Sequence, residues 1–271
     1  MQQDIETLAR QLANGLSVEQ LRDRQNGSVM AANQQVITKE QSEKIRAYWD
    51  DVFSRPERRS PLIMTCATSQ EMEYEEARRK VWRLLQLRAA HISMIERDEF
   101  EWVLTDHDKE NLQNLTRYFV NDSACKWSLS KGLFLYGAPG TGKTEFMQAF
   151  ERFTLDNELK KQFQFTSLST VYTRAKAERD YDPIKENIMF SRCFDEFCRY
   201  VGPVTRFGES LDITESLIEQ RYERFKRYGQ LTHFVANTTP GDALTNLSDM
   251  AADRLREMCT PVLFSGESKR K

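Results

Sequence analysis

The chain has 271 residues and its 39 Lys and Arg nearly balance its 41 Asp and Glu, so its net charge gives no argument for a nucleic-acid or membrane surface, while a local basic face stays compatible with it. Five scattered cysteines, with Cys193 and Cys198 too far apart for a CxxC pair, and three isolated histidines argue against a zinc site and for reduced thiols in a cytosolic protein. The N-terminus MQQDIETLARQLANGL is polar, and no apolar run approaches the ~20 residues of a membrane span, so a soluble cytoplasmic protein of one large or two modest domains is expected.

Residues 1 to 118 read as helical, without a glycine-rich loop. Ile5, Leu8, Leu12 and Leu16 fall at helical spacing, and Ser17 can cap a short helix SVEQLRDRQ. QNGSVMAANQQ reads as a linker, and KEQSEKIRAYWDDVF as a helix that ends at Arg55-Pro56. EMEYEEARRKVWRLLQLRAAHISMI predicts a long charged helix with an apolar stripe at Val81, Leu84, Leu85 and Leu87. DHDKENLQNLTRYFV predicts another, with Asp106 or Asp108 near its start. The aromatic residues Trp49, Trp82 and Trp102 are read as core or anchor, core being the ordinary use of such spacing.

After Asn121-Asp122-Ser123 the texture changes. LFLY after Lys131-Gly132 is a short buried strand. The helix after the next loop carries Phe146, Met147, Phe150 and Phe153 on one side. FQFTSL, NIMFSRCF (187 to 194), LTHFVAN (231 to 237) and TPVLF (260 to 264) are four more strand candidates. The helical stretches TVYTRAKAERD, ESLIEQRYERFKRYG and LSDMAADRLREM separate them. Strands alternating with helices imply a mainly parallel α/β sheet covered on both faces.

Gly137-Ala138-Pro139-Gly140-Thr141-Gly142-Lys143-Thr144 fits G-x4-G-K-[ST] in full. The glycines let backbone N–H groups turn inward around phosphates. Lys143 can reach the β- and γ-phosphates, Thr144 can ligate Mg²⁺, and the following helix presents its positive end to the anion. ATP hydrolysis also needs an acid on a later strand and a group to polarise water. Asp195 fits the first role and Glu196 the second. Asp98-Glu99-Phe100 is a rival match, on the wrong side of the loop for the usual strand order. Arg192 sits awkwardly in a central strand. Asn237, at the end of the fourth strand, can orient water against the γ-phosphate from the carboxyl edge of the sheet, or can be a turn residue ahead of Pro240-Gly241.

In this order, Gly137 to Thr144, Asp195-Glu196, Asn237 and Asp253-Arg254-Leu255 resemble an AAA+ ATPase, and more narrowly the DnaC/IstB group of helicase loaders and transposition helper ATPases. The likeness extends through FGESLDITESLIEQRYERFKRYGQLTHFVANTT and DRLREMCTPVLFSGESKRK, over roughly residues 119 to 271. It implies an α/β P-loop NTPase sheet with helices on both faces, preceded by a mainly helical partner-binding domain at 1–118, with the AAA+ lid absent. It also implies ATP and Mg²⁺ as cofactors, Arg254 as an arginine finger acting across subunits, and Arg270 as a second sensor of nucleotide. Asp-Glu stands where the group commonly has Asp-Asp. The implied partners are a replicative hexameric helicase or a transposase, single-stranded DNA at modest affinity, and further copies of the chain in an ATP-dependent oligomer. For DNA the resemblance points to TVYTRAKAERDYD, with Tyr172, Arg174, Lys176, Arg179 and Tyr181, a segment whose ordinary reading is a solvated amphipathic helix.

Overall fold

The computed structural model describes residues 71–96, 101–178, 181–199, 203–206, 209–266 and 268–269. The helices expected before residue 71, Trp49, the Asp98-Glu99-Phe100 match, Arg179 and Arg270 lie outside the described residues. The described chain forms two compact units, one holding Glu75–Val103 and the other Leu104–Lys271.

In the first unit, helix α1 (Tyr74–Glu96) buries Ala77, Val81, Leu85 and Ala89, a spacing of four that keeps one face apolar. The indole of Trp102 donates to the Leu85 carbonyl at 2.7 Å, which ends Leu85's side of the stripe in a satisfied polar contact. Trp82 lies on the other side, exposed.

The second unit begins with α2 (Asp106–Phe119). Thr105 caps it and Asp108 closes a reciprocal capping box. The helix is tied to the rest of this unit, since Asn111 bonds the Leu263 carbonyl and Tyr118 bonds that of Lys131. Then follow β1 (Gly132–Tyr136), α3 (Lys143–Asp156), β2 (Gln164–Ser167), α4 (Leu168–Ala177), α5 (Lys185–Ile188) and β3 (Arg192–Phe197). A hairpin of β4 (Val204–Arg206) and β5 (Glu209–Leu211) precedes α6 (Ile213–Tyr228), β6 (Thr232–Ala236), α7 (Pro240–Thr245), α8 (Asp249–Met258) and β7 (Cys259–Leu263). The main sheet is parallel throughout, in the order β2-β3-β6-β1-β7.

Alternation along the strands sends residues to two cores. Phe134, Phe194 and Phe234 face α4, α6 and α8, where they meet Leu168, Val171, Leu217, Leu255 and Met258. On the other side Phe119 of α2 stacks on Phe150 of α3 (5.0 Å) and on Phe163 (5.3 Å), with His233 among them at 5.7 Å. Both faces are therefore covered, as all-parallel sheets require.

The third strand differs from its predicted place. NIMF reads as a strand start, yet residues 185 to 188 are the short helix α5 and β3 begins at Arg192. Asp182 Oδ1 accepts from the amides of Ile184 and Lys185, which starts α5. Phe190 then takes φ 60°. The carbonyls of Ile188 and Phe190 are both held by Arg221 Nη1 of α6, at 2.9 and 2.5 Å, so they are engaged away from any ladder. The awkward Arg192 is accommodated at the strand's first position, where it donates to Thr166 Oγ1 and to the Glu186 carbonyl.

Candidate functional site

β1 and β6 are neighbours at the centre of the sheet, and β3 lies beside β6. Their carboxyl ends bring the loop after β1, the acidic pair of β3 and Asn237 to one edge. In the loop, Gly137, Gly140 and Gly142 have φ of 141°, 82° and 90°, a region that L side chains rarely enter. A Cβ on Gly137 would stand 2.0 Å from the Phe264 carbonyl oxygen, and one on Gly140 2.2 Å from Ser268 Oγ. Gly142 caps α3 with its backbone alone, so the first amides of α3 stay available to an anion. Ala138 and Pro139 fill the turn between the first two glycines.

Lys143 is 3% exposed. Its Nζ donates to the carbonyls of Gly137 and Ala138, both at 2.8 Å, and lies 3.2 Å from Thr141 Oγ1. Thr141 Oγ1 in turn donates to the Ala138 carbonyl. The lysine thus spans its own loop.

Thr144 Oγ1 donates to Asp195 Oδ2 at 3.0 Å, across 51 residues of sequence. This contact joins the loop to β3. Burial pushes the Asp195 carboxyl above the ordinary aspartate value, while the Glu196 amide and the Thr144 hydroxyl pull it back. A hydroxyl and a carboxylate oxygen at this separation suit Mg²⁺, which takes one or two protein oxygens and completes its shell with phosphates and water. Thr144 and Asp195 are the residues that can hold it.

Glu196 follows at a bulge. The pairing of β3 with β6 shifts between Phe194 and Phe197, and Glu196 adopts φ 58°. Residues 194 and 197 should face opposite ways in a regular strand, yet Phe194 and Phe197 share one core. The extra residue turns Glu196 out along the carboxyl edge. There Oε2 accepts from Ser167 Oγ at 2.9 Å, and Oε1 pairs with Arg199. Ser167 is opposite Asp195 in the β2–β3 register. Neither Ser167 nor Arg199 carries a motif, so only the register could have pointed to them.

Asn237 is exposed and one residue beyond β6. The hydroxyl of the next residue, Thr238, is buried without a hydrogen-bond partner among the described residues. Arg254 of α8 is held within its own chain: Nη1 pairs with Glu219 at 3.1 Å, and the guanidinium lies 5.4 Å from the Tyr222 ring, both on α6. In the stretch read for DNA, Tyr172 and Tyr181 are buried and bonded to Thr214 and Asn187. They belong to the core and cannot serve as base-stacking platforms. Lys176 is exposed, and Arg174 pairs with Glu178 while lying 4.0 Å from the Tyr181 ring.

The site thus sits on a parallel five-stranded sheet with helices on both faces and a phosphate-type loop following its β1 strand. Several solved structures are similar to the chain at low sequence identity. They include a candidate primosome component from Streptococcus pyogenes serotype M3, at 14% identity and TM-score 0.47 over 62% of this chain and 85% of that one. DnaI is similar at 15% identity and TM-score 0.45, over 63% of this chain and 88% of that one. The DnaC helicase loader is similar at 15% identity and TM-score 0.43, over 61% of this chain and 94% of that one. No protein-family model matches the sequence, and no curated protein matches it. Among the described residues, no helix is long and apolar enough to cross a membrane.

Proposed function

We propose that the chain is an ATP-hydrolysing loader of a replicative helicase, of the DnaC kind, acting in DNA replication as an ATP-dependent oligomer. The observation that carries the ATPase half is the Thr144–Asp195 hydrogen bond with Glu196 beside it. It supports a phosphate cradle, a metal position and a base on one edge of the sheet. The amides of the loop from Gly137 to Gly142 and the ammonium of Lys143 bind the phosphates. Thr144 and Asp195 would hold Mg²⁺, which would supply neutralisation of phosphate charge. Glu196 accepts the proton of the attacking water and Asn237 orients that water. Arg254 comes from a neighbouring copy to the γ-phosphate, and Arg270 reads the nucleotide within the chain.

The loader half rests on the order of motifs Gly137–Thr144, Asp195-Glu196, Asn237 and Asp253-Arg254-Leu255 and their resemblance to the DnaC/IstB group. Residues 1–118, whose last helix α2 packs in the second unit, are the proposed partner-binding domain. Single-stranded DNA is the second proposed partner, with Lys176 as the exposed cation on α4. The decisive experiment is capture from native lysate with the full chain and MgATP, read by mass spectrometry. Recovery of a hexameric replicative helicase supports the reading. Recovery of a transposase without a helicase overturns it in favour of a transposition helper.

A further inference from the structure

A loop that turns its amides toward an anion turns carbonyls away from it, and those carbonyls need donors of their own. In this chain two come from one residue. The backbone N–H of Lys269 donates to the Gly140 carbonyl at 2.9 Å. Its side-chain ammonium donates to the Thr141 carbonyl at 3.1 Å. The ammonium is fixed from the opposite side by Asp108 Oδ2 at 3.0 Å. That ion pair is nearly closed to solvent, the side chains being 11% and 0% exposed. Asp108 is itself immobilised: Oδ2 also accepts from the amide and the hydroxyl of Thr105, at 3.0 and 2.9 Å. Ser268 stands directly behind Gly140. Just upstream, the Leu263 carbonyl is bonded by Asn111 and His107 of α2.

We propose that Lys269, braced by Asp108, is a positioning residue that holds the middle of the phosphate loop in its anion-binding shape. The proposal rests on the reading of that loop as an ATP site and adds to it a residue remote in sequence. Lys143 and Lys269 divide the loop between them. Lys143 holds the carbonyls of Gly137 and Ala138 and gives them up to the nucleotide, whereas Lys269 keeps those of Gly140 and Thr141 in both states. Because the same amides meet the phosphates in the ground state and the transition state, loosening them weakens binding uniformly and raises KM more than it lowers kcat.

The test uses the full chain with MgATP and the variants Lys269→Met, Lys269→Arg and the double variant Asp108→Asn/Lys269→Met. Lys269→Met raises KM for ATP about tenfold with kcat within about twofold, the worth of one charge-assisted hydrogen bond. Arginine, which can still donate to both acceptors, restores most of the affinity. In the double variant the buried carboxylate is no longer left unpaired, so the unfolding midpoint rises relative to Lys269→Met while KM stays high. A KM that recovers together with the midpoint, or that never changes, overturns the proposal and leaves the contact a stabilising one only. Amide exchange over Gly140–Thr144 in nucleotide-free protein gives a readout independent of turnover. It quickens in Lys269→Met, and unchanged exchange overturns the proposal. A wild-type chain that fails to hydrolyse ATP would instead strike the functional reading, and the exchange result would still decide the role of Lys269.

Discussion

Glu196 holds a left-handed backbone conformation (φ 58°), which costs a non-glycine residue on the order of 1 kcal/mol or more. The strain serves to place two adjacent acids on one edge. Glu196→Gln is expected to keep ATP binding and to lower kcat about a hundredfold or more, as loss of a general base does. Lys143→Ala is expected to lose nucleotide binding itself, and equilibrium binding beside steady-state turnover separates the two. Asp195 is pushed upward by burial. In the metal-free protein its carboxylate is therefore protonated at a higher pH than that of an exposed aspartate. His233 shows the opposite case, since burial lowers its pKa to about 3. Its Nδ1 accepts from the Leu133 amide at 3.1 Å, which fixes the neutral ring. Between about pH 3 and 6.5 the unfolded chain binds a proton there that the folded chain refuses, so stability falls as pH falls through that window. The expected slope is on the order of 1 kcal/mol per pH unit. Urea unfolding of His233→Leu should show a flatter acid slope and a lower plateau, because Leu133 N–H loses its acceptor.

At the level of elements, Arg221 decides where β3 begins. It is wholly buried, has no carboxylate partner among the described residues, and donates to Thr232 Oγ1 and to the carbonyls of Ile188, Phe190 and Leu231. Arg221→Leu leaves the Ile188 and Phe190 carbonyls without this donor and the Leu231 carbonyl with only the Arg192 N–H, and should cost about 2 to 4 kcal/mol of stability, measurable by denaturant titration. This contact also explains a limit of the sequence. The P-loop and four of the five main strands were legible because each is a contiguous run with its own punctuation. NIMF looked like a strand because it is apolar, and the side chain that withdraws its carbonyls lies 31 to 33 residues downstream. The β4–β5 hairpin escaped notice since strands of three residues are too short for a period of two to register. Lys269 was invisible for the same reason on a longer scale, its partner Asp108 lying 161 residues away.

For the whole molecule, the disposition of Arg254 bears on the proposal that it acts as a finger on a neighbouring copy. A finger that acts on a neighbour has to leave Glu219 and Tyr222 first. The Glu219 partner is half exposed, and surface pairs of that kind are worth about 0 to 1 kcal/mol, so assembly can break the pair easily. Specific ATPase activity should therefore rise with protein concentration, and Arg254→Ala should bind ATP yet turn it over about a hundredfold more slowly or worse. Mixing Arg254→Ala with a Glu196→Gln chain should recover activity, since each supplies what the other lacks. Sedimentation with and without ATP gives the matching assembly states. A strictly monomeric sample at full activity would end the trans reading.

The posture of Lys143 bears on how any nucleotide enters. Its ammonium is already solvated by two carbonyl oxygens of its own loop, so arrival of a polyphosphate is a ligand exchange at nitrogen rather than a capture by a waiting charge. The neutral oxygens given up must be balanced by anionic ones gained, and this tax falls equally on every anion. A mononucleotide with a single phosphate recovers little of it, whereas a triphosphate recovers it with surplus. A loop that binds nucleotide as proposed would thereby discriminate by chain length of phosphate before any contact with the base is made.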